Sequence, residues 1–421
     1  MEYKSCKLKE VIVLNPKLKL SKNTIAKKVS MDNLIENQKR IESFSYSQFK
    51  GGSKFKNGDT LLARITPCLE NGKTAYVDIL DSDEIAFGST EFFVLRPKED
   101  LMDNQYLYYL MRTHKLRNIV IKSMTGTSGR QRAQKESILE FEVNLPSLKQ
   151  QKIIAKILKN LDDKIELNQD IIANLEELSQ TLFKRWFVDF EFPDENGNPY
   201  QSSGGEMVVS ELGEIPKGWK VVQLKDLAGH KKDTFNPKKS GEKEVLHFSL
   251  PAFDNRKLPV LDKVINIKSN KWIIDENCIL FSKMNPTTRR IWLTSIDDKY
   301  LNIASSEFIV LKSDNSFNNA FIYNVCTSDG FNEFLVSNAT GSTNSRQRVK
   351  PDIAIRYNFA FNSEIASLFS EAVEPYLEKI KLLRNEIQKL TELRDTLLPK
   401  LMSGEIEIPD EVWGDEDELS I

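Results

Sequence analysis

Apolar positions recur with helical spacing in two long runs, one in each half of the chain. Between residues 150 and 188 they fall at Ile154, Leu158, Leu161, Ile165, Ile172, Leu175 and Leu182, in steps of three and four once Asn168 and Ser179 fill the gaps. Phe369, Val373, Tyr376, Ile380, Leu383, Ile387, Leu390 and Leu397 repeat the pattern. A seam of this period lets two helices pair as a coiled coil. At about 1.5 Å per residue, some 38 residues reach roughly 57 Å, more than a helix needs to cover one domain, so the pair reads as a spacer. Asn168 reads as a tolerated polar residue in the seam rather than a register device. Pro375 has no counterpart in the first run. Its ring removes a helical hydrogen bond, which predicts a kink or break near Glu374.

Ahead of each run the pattern changes to short β-type stretches, such as 60–65 and 91–95, followed by a shorter helix near 104–117 or 319–333. These stretches are written twice. Gly88-Ser-Thr-Glu-Phe-Phe-Val-Leu-Arg96 returns 216 positions later as Ala304-Ser-Ser-Glu-Phe-Ile-Val-Leu-Lys312. Leu61-Leu-Ala-Arg-Ile-Thr-Pro67 returns as Leu280-Phe-Ser-Lys-Met-Asn-Pro286, and Asn104-Gln-Tyr-Leu-Tyr-Tyr-Leu110 as Asn319-Ala-Phe-Ile-Tyr-Asn-Val325. Lys164-Ile165 matches Lys379-Ile380, so the long helices belong to the repeat. Preserved order at offsets of 215 to 219 implies two copies of one α+β unit in pseudo-twofold related roles. The expected segments are a first unit at 1–147, its helix at 148–189, a Gly-, Pro- and Asn-rich linker at 190–218, a second unit at 219–362, its helix at 363–404 and an acidic tail at 405–421.

Composition narrows the class. A chain of 421 residues, 40% hydrophobic and 29% charged, is globular and long enough for two or more domains. No apolar stretch approaches the roughly 20 residues a membrane helix needs, and MEYKSCKLKE lacks a secretory h-region, which predicts a cytoplasmic protein without a membrane partner. Cys6, Cys68, Cys278 and Cys326 include no CxxC pair and read as buried thiols rather than a zinc site. The net charge of −2 includes −6 in residues 410–421, leaving +4 over the rest, so local basic clusters must decide whether nucleic acid is a partner.

Catalytic patterns are weak. Asn198-Pro-Tyr200 carries one proline where an amine methyltransferase has two, and there is no glycine loop for its cofactor. Gly72-Lys73-Thr74 ends like a phosphate-binding loop, but Pro67 stands where that loop needs its first glycine. Asp59, Asp78 and Glu91 could serve a metal-dependent nuclease, although charged residues at strand ends are usually solvated. No cofactor is implied.

The stronger signal is a paired loop. Thr125-Gly-Thr-Ser-Gly-Arg-Gln-Arg132 and Thr340-Gly-Ser-Thr-Asn-Ser-Arg-Gln-Arg348 each join glycine and small hydroxyls to an Arg-Gln-Arg trio. Small residues let the backbone approach a phosphate, Arg matches guanine O6 and N7, and Gln matches adenine N6 and N7. The DNA-contact candidates are therefore Ser128, Gly129, Arg130, Gln131 and Arg132 in the first loop and Asn344, Ser345, Arg346, Gln347 and Arg348 in the second. Lys54, Lys56, Arg64, Lys283, Arg289 and Arg290 are candidates to neutralise phosphates, while the aromatics Phe44, Tyr46, Phe49, Trp272 and Trp292 read as core.

Gly58-Asp-Thr-Leu-Leu-Ala-Arg-Ile-Thr-Pro-Cys-Leu-Glu-Asn-Gly-Lys73, Gly88-Ser-Thr-Glu91, Trp186-Phe-Val-Asp-Phe-Glu-Phe192, Ile215-Pro-Lys-Gly-Trp219 and Leu397-Leu-Pro-Lys-Leu-Met-Ser-Gly-Glu405 resemble the specificity subunits of type I restriction–modification systems over nearly the whole chain. The resemblance implies two target-recognition domains reading a bipartite site in double-stranded DNA, separated by two antiparallel coiled-coil helices that fix the unread gap. It also implies two methyltransferase subunits that methylate adenine N6 on a flipped base, and restriction subunits that complete an ATP-dependent nuclease. The chain itself is then non-catalytic. Asn277-Cys278-Ile279 departs from Gly58-Asp59-Thr60, so the two domains are expected to read different sequences. A coiled-coil scaffold and a stand-alone DNA-binding regulator are the alternatives.

Overall fold

The computed structural model describes residues 3–276, 278–313, 319–341 and 347–408. Six helices organise it: α1 (Asn104–Arg112), α2 (His114–Lys122), α3 (Leu148–Phe187), α4 (Asn319–Thr327), α5 (Asp329–Ser337) and α6 (Ser363–Ser403). The chain divides into two compact units, Met1–Leu167 with Lys389–Ile421, and Asn168–Gln388.

In the first unit an antiparallel sheet has the order Ile12–Leu14, Phe92–Pro97, Thr60–Ala63, Thr74–Tyr76. A second sheet runs Ser45–Gln48, Ile25–Val29, Ala86–Gly88, Ser53–Phe55, with one parallel pair between Ile25–Val29 and Ala86–Gly88. Successive strand residues point to opposite faces. Leu61, Phe92 and Val94 accordingly enter a core with Val29, Phe55 and Val77, whereas Leu62, Phe93 and Leu95 enter one with Tyr106, Tyr108 and Tyr109 of α1. Burial on both faces explains why these strands read as unbroken apolar runs. Leu398, Leu401 and Met402 of α6 belong to the same cluster as the tyrosines.

The second unit repeats this layout. Its sheets run Gly229–His230, Phe308–Lys312, Cys278–Ser282, Ile291–Leu293, and Thr234–Phe235, Lys271–Ile273, Leu301–Ala304, Glu244–Phe248, Val260–Lys263. The single parallel pair recurs, between Glu244–Phe248 and Leu301–Ala304. Leu280, Phe308 and Val310 face one core with Phe248 and Trp292, while Phe321 of α4 packs against Phe183, Phe187 and Phe369 of the long helices. The fold is α+β with an internal repeat, and within each unit α3 and α6 pair antiparallel.

Several details differ from expectation. Each shorter helix is two helices, because Thr113 and Ser328 leave helical backbone geometry and turn their hydroxyls back onto the carbonyls of Leu110 and Val325. Helix α6 continues through Pro375 without a break. One lost hydrogen bond does not end a helix whose flanking Val373 and Leu377 are buried. Leu377 rather than Tyr376 fills the seam there, and the buried line runs on through Ile380, Arg384, Ile387, Thr391, Arg394, Leu398 and Leu401 in steps of three and four, so the period holds while Thr391 and Leu398 take the places expected of Leu390 and Leu397. Asn168 is fully buried and donates to Glu386 at 3.0 Å. The stretch 190–218 contains a hairpin, Met207–Ser210 with Gly213–Pro216, and Phe192 stacks on Tyr200.

Polar contacts are buried around the paired helices in both units. In the first, Asp162 accepts from Arg394 Nη1 at 2.6 Å and from the Tyr109 hydroxyl at 2.7 Å. The 215-residue offset relates Asp162 to Leu377, Arg394 to Ser179 and Tyr109 to Asn324. In the second unit Ser179 Oγ donates to Asn324 Oδ1 at 2.7 Å, and Leu377 is buried without a charge opposite it. The same place is thus filled by an ionic network in one unit and by a neutral hydrogen bond in the other.

Candidate nucleic-acid interface

Both Arg-Gln-Arg loops are tied at their base by the same backbone bonds. Thr125 and Arg132 exchange N–H and carbonyl at 3.0 and 2.9 Å, as do Thr340 and Arg348. The Ala133 N–H donates to the Arg64 carbonyl at 2.8 Å, and the Val349 N–H to the Lys283 carbonyl at 2.9 Å. Thr66 N–H donates to the Gln131 carbonyl, matched by Asn285 N–H to Gln347. Each loop is therefore strapped to the segment that follows the central strand of its sheet. Gly126 and Gly129 adopt positive φ, +128° and +78°, which supplies the turn at the first tip.

Side chains at the base are held as firmly. Arg132 makes a two-pronged ion pair with Glu91, Nε to Oε2 at 2.9 Å and Nη2 to Oε1 at 2.7 Å. Arg348 does the same with Glu307, Nε to Oε2 at 3.1 Å and Nη2 to Oε1 at 3.4 Å. Hydrogen bonding from Arg132 holds the Glu91 carboxyl below its ordinary range, and the same bond raises the guanidinium. The sequence singles out Glu91 only as a possible nuclease carboxylate and does not join the glutamates to these arginines, although Ser-Thr-Glu91 and Ser-Ser-Glu307 share the 216-residue offset of the arginines.

The remaining candidates divide into free and committed groups. Ser128, Gly129 and Arg130 are exposed, Gln131 is half-buried, and among the described residues the Arg130 side chain has no partner. Asn344, Ser345 and Arg346 lie outside the described residues, as does Asn277. Lys56 is exposed, but the Lys54 amine donates to the Leu18 carbonyl. Arg64 is half-buried with its guanidinium 4.8 Å over the Phe93 ring, and Lys283 is half-buried. Arg289 pairs with Asp329 at 2.5 Å and Arg290 with Asp254 at 2.6 Å. Phe49 and Trp292 are buried and Trp272 donates to the Phe308 carbonyl, but Phe44 and Tyr46 form an exposed edge-to-face pair rather than core.

Of the groups weighed for catalysis, Asp59 and Glu91 have structural partners, and Asp78 is exposed. Asp59 is fully buried in an ion pair with Arg96 at 2.7 Å, and Glu91 is the partner of Arg132. Among the described residues no cluster of three or more His, Cys, Asp or Glu is placed to hold a metal, and no helix is long and apolar enough to cross a membrane.

Four exposed leucines on the long helices also follow the repeat. Leu167 and Leu393 lie in the first unit, and Leu382 and Leu178, their partners at an offset of 215, lie in the second. Leu382 is 63% exposed, and isolated large apolar groups of this kind gain meaning when they recur at equivalent places.

Comparison with known proteins adds to this picture. Residues 1–177 match the family model for the type I restriction modification DNA specificity domain. The chain is 28% identical over 331 residues to the type I restriction enzyme MjaIX specificity subunit of Methanocaldococcus jannaschii, covering 74% of this chain and 71% of that one. It is 26% identical to the HindI specificity subunit of Haemophilus influenzae, covering 83% of this chain and 87% of that one. The crystal structure of the type I restriction-modification system S subunit from M. genitalium aligns over 97% of both chains with a TM-score of 0.56 at 14% identity, a likeness of fold.

Proposed function

We propose that this chain, similar over most of its length to type I restriction enzyme specificity subunits, is a member of that family and that its two units each read one half of a bipartite site in double-stranded DNA. The observation that carries this reading is the duplicated loop. The same straps, a glycine after the leading threonine and the Arg-Gln-Arg trio occur in both copies, and two readers suit two half-sites. The contacting residues are Ser128, Gly129, Arg130 and Gln131 in the first unit and, by their place in the sequence repeat, Asn344, Ser345, Arg346 and Gln347 in the second, with Lys56 on phosphate. In this reading the chain is cytoplasmic and non-catalytic: it directs adenine-N6 methylation or restriction by partner subunits, and the paired helices set the unread gap.

Two methyltransferase subunits dock against the helices, one for each equivalent pair of exposed leucines, and restriction subunits join that assembly. The different second unit, with Cys278 where the first has Asp59, supports unlike half-sites.

The test is co-expression with its methyltransferase subunit followed by mapping of N6-methyladenine by single-molecule sequencing. A new two-part motif with a fixed gap is the expected result. A stable complex that marks no DNA would refute the directing role, and failure to form any complex would favour a scaffold or a stand-alone regulator.

A further inference from the structure

We propose that Arg132 and Arg348 are positioning residues that latch the root of each recognition loop to Glu91 and Glu307, leaving the tip to meet DNA. The inference rests on the reading of the loops as DNA readers and separates two roles within a motif that looks uniform in sequence. A guanidinium recognises guanine through a pair of adjacent N–H groups. In Arg132 the Nε and Nη2 edge is already given to both oxygens of Glu91, and in Arg348 the same edge is given to Glu307. The backbone of both arginines is also closed onto Thr125 and Thr340, so the ion pair sits where the loop leaves the body of the unit.

The carboxylates strengthen the assignment. A glutamate beside a DNA-binding loop repels phosphate unless its charge is neutralised, yet one stands at the same repeat position in each copy, and its arginine neutralises it. A guanidinium whose charge is already matched by a carboxylate has little net charge left to neutralise phosphate. One meant to hold a loop in a single geometry gains a two-pronged, directional contact. Arg130, two residues away and exposed, has its side chain free for DNA among the described residues.

The experiment uses the full chain in complex with its methyltransferase subunits, and duplexes carrying both mapped half-sites, one scrambled half-site, or neither. Glu91→Gln, Arg132→Gln, the double variant and the charge swap Glu91→Arg/Arg132→Glu are compared, with Glu307→Gln and Arg348→Gln as the equivalent set in the second unit. A latch predicts that both single variants weaken binding at their own half-site alike, by about tenfold to a hundredfold. It further predicts that the double variant is no worse than either single, that the swap recovers part of the loss, and that the salt dependence is unchanged. The proposal is overturned if Arg132→Gln weakens all duplexes equally and lowers the salt slope by about one. It is equally overturned if Glu91→Gln tightens binding, since either result makes the arginine a phosphate contact. If the unaltered complex prefers no half-site at all, the function itself is wrong rather than the latch.

Discussion

Replacing the buried ionic network of the first unit by the residues the second unit uses is the sharpest test of how the helices are held. Asp162 and Arg394 have side chains only 3% and 4% exposed, and the Tyr109 phenol is held far above its ordinary pKa by burial and by the Asp162 charge. Asp162→Leu alone leaves Arg394 buried without its main counter-charge and the Tyr109 hydroxyl without its acceptor. Breaking such a pair costs about 3–5 kcal/mol, and Arg394→Ser should cost a similar amount by stranding Asp162. If the losses simply added, Asp162→Leu/Arg394→Ser/Tyr109→Asn would lose at least about 6–10 kcal/mol, enough to unfold an ordinary domain. The triple variant instead removes both charges of the Asp162–Arg394 pair, gives up the longer 3.8 Å contact of Arg112 with Asp162, and rebuilds the Ser179–Asn324 hydrogen bond and the Leu377 packing at the equivalent place. It is therefore expected to be more stable than either single variant. Arg112 keeps the Tyr108 hydroxyl and the Asn37 carbonyl in all of them. Urea unfolding of the full chain, followed by circular dichroism and fitted as two transitions, reads the difference in the first unit. Stepwise loss from single to triple would refute the reasoning, because it would mean that packing volume and not charge pairing decides stability here.

Two further outcomes follow from the same physics. Burial, with Asp162, Asp78 and Asp163 nearby, pushes the Glu166 carboxyl up to about 7, well above the ordinary glutamate range. The folded state therefore holds the proton more tightly, and the stability this adds is complete below about pH 4.5 and lost as pH rises through 7. Glu166→Gln should match the parent at pH 4 and exceed it by about 1–2 kcal/mol at pH 8.5, after allowance for solvent screening of a half-buried group. An equal offset at both pH values would speak against that cause. Leu167→Asp and Leu382→Asp should each reduce methyltransferase-subunit binding in sedimentation by at least tenfold, since burying an unpaired carboxylate in an interface is strongly unfavourable. Unchanged binding by both would remove these leucines from the docking surface.

The repeat made most of the fold legible. An offset of 215 to 219 predicted two α+β units and placed the long helices within each copy, because apolar periodicity survives where individual residues change. Less visible were features that depend on what lies opposite. Nothing in the run around Pro375 shows that neighbouring packing keeps α6 continuous, and Tyr376 and Leu377 both read as apolar until the face turned to the neighbouring helix selects one. The Arg-Gln-Arg loops were found from their composition. Their division into a tied arginine and a free one was not, since Glu91 lies 41 positions from Arg132 and only the folded sheet brings them together. Lys54 and Arg290 looked like Lys56 in sequence for the same reason.

That Leu398, Leu401 and Met402 complete the core around Tyr106 and Tyr109 has a consequence for how the protein is born. The ribosome finishes the rest of the first unit at Leu167 and reaches Lys389 about 220 residues later, a wait of roughly 10–40 s at ordinary synthesis rates. Throughout that interval the apolar face awaiting the last helix stands open. The nascent chain is at its most vulnerable to chaperone capture, proteolysis and misassociation then, and a premature stop late in the message damages the part of the protein that was translated first.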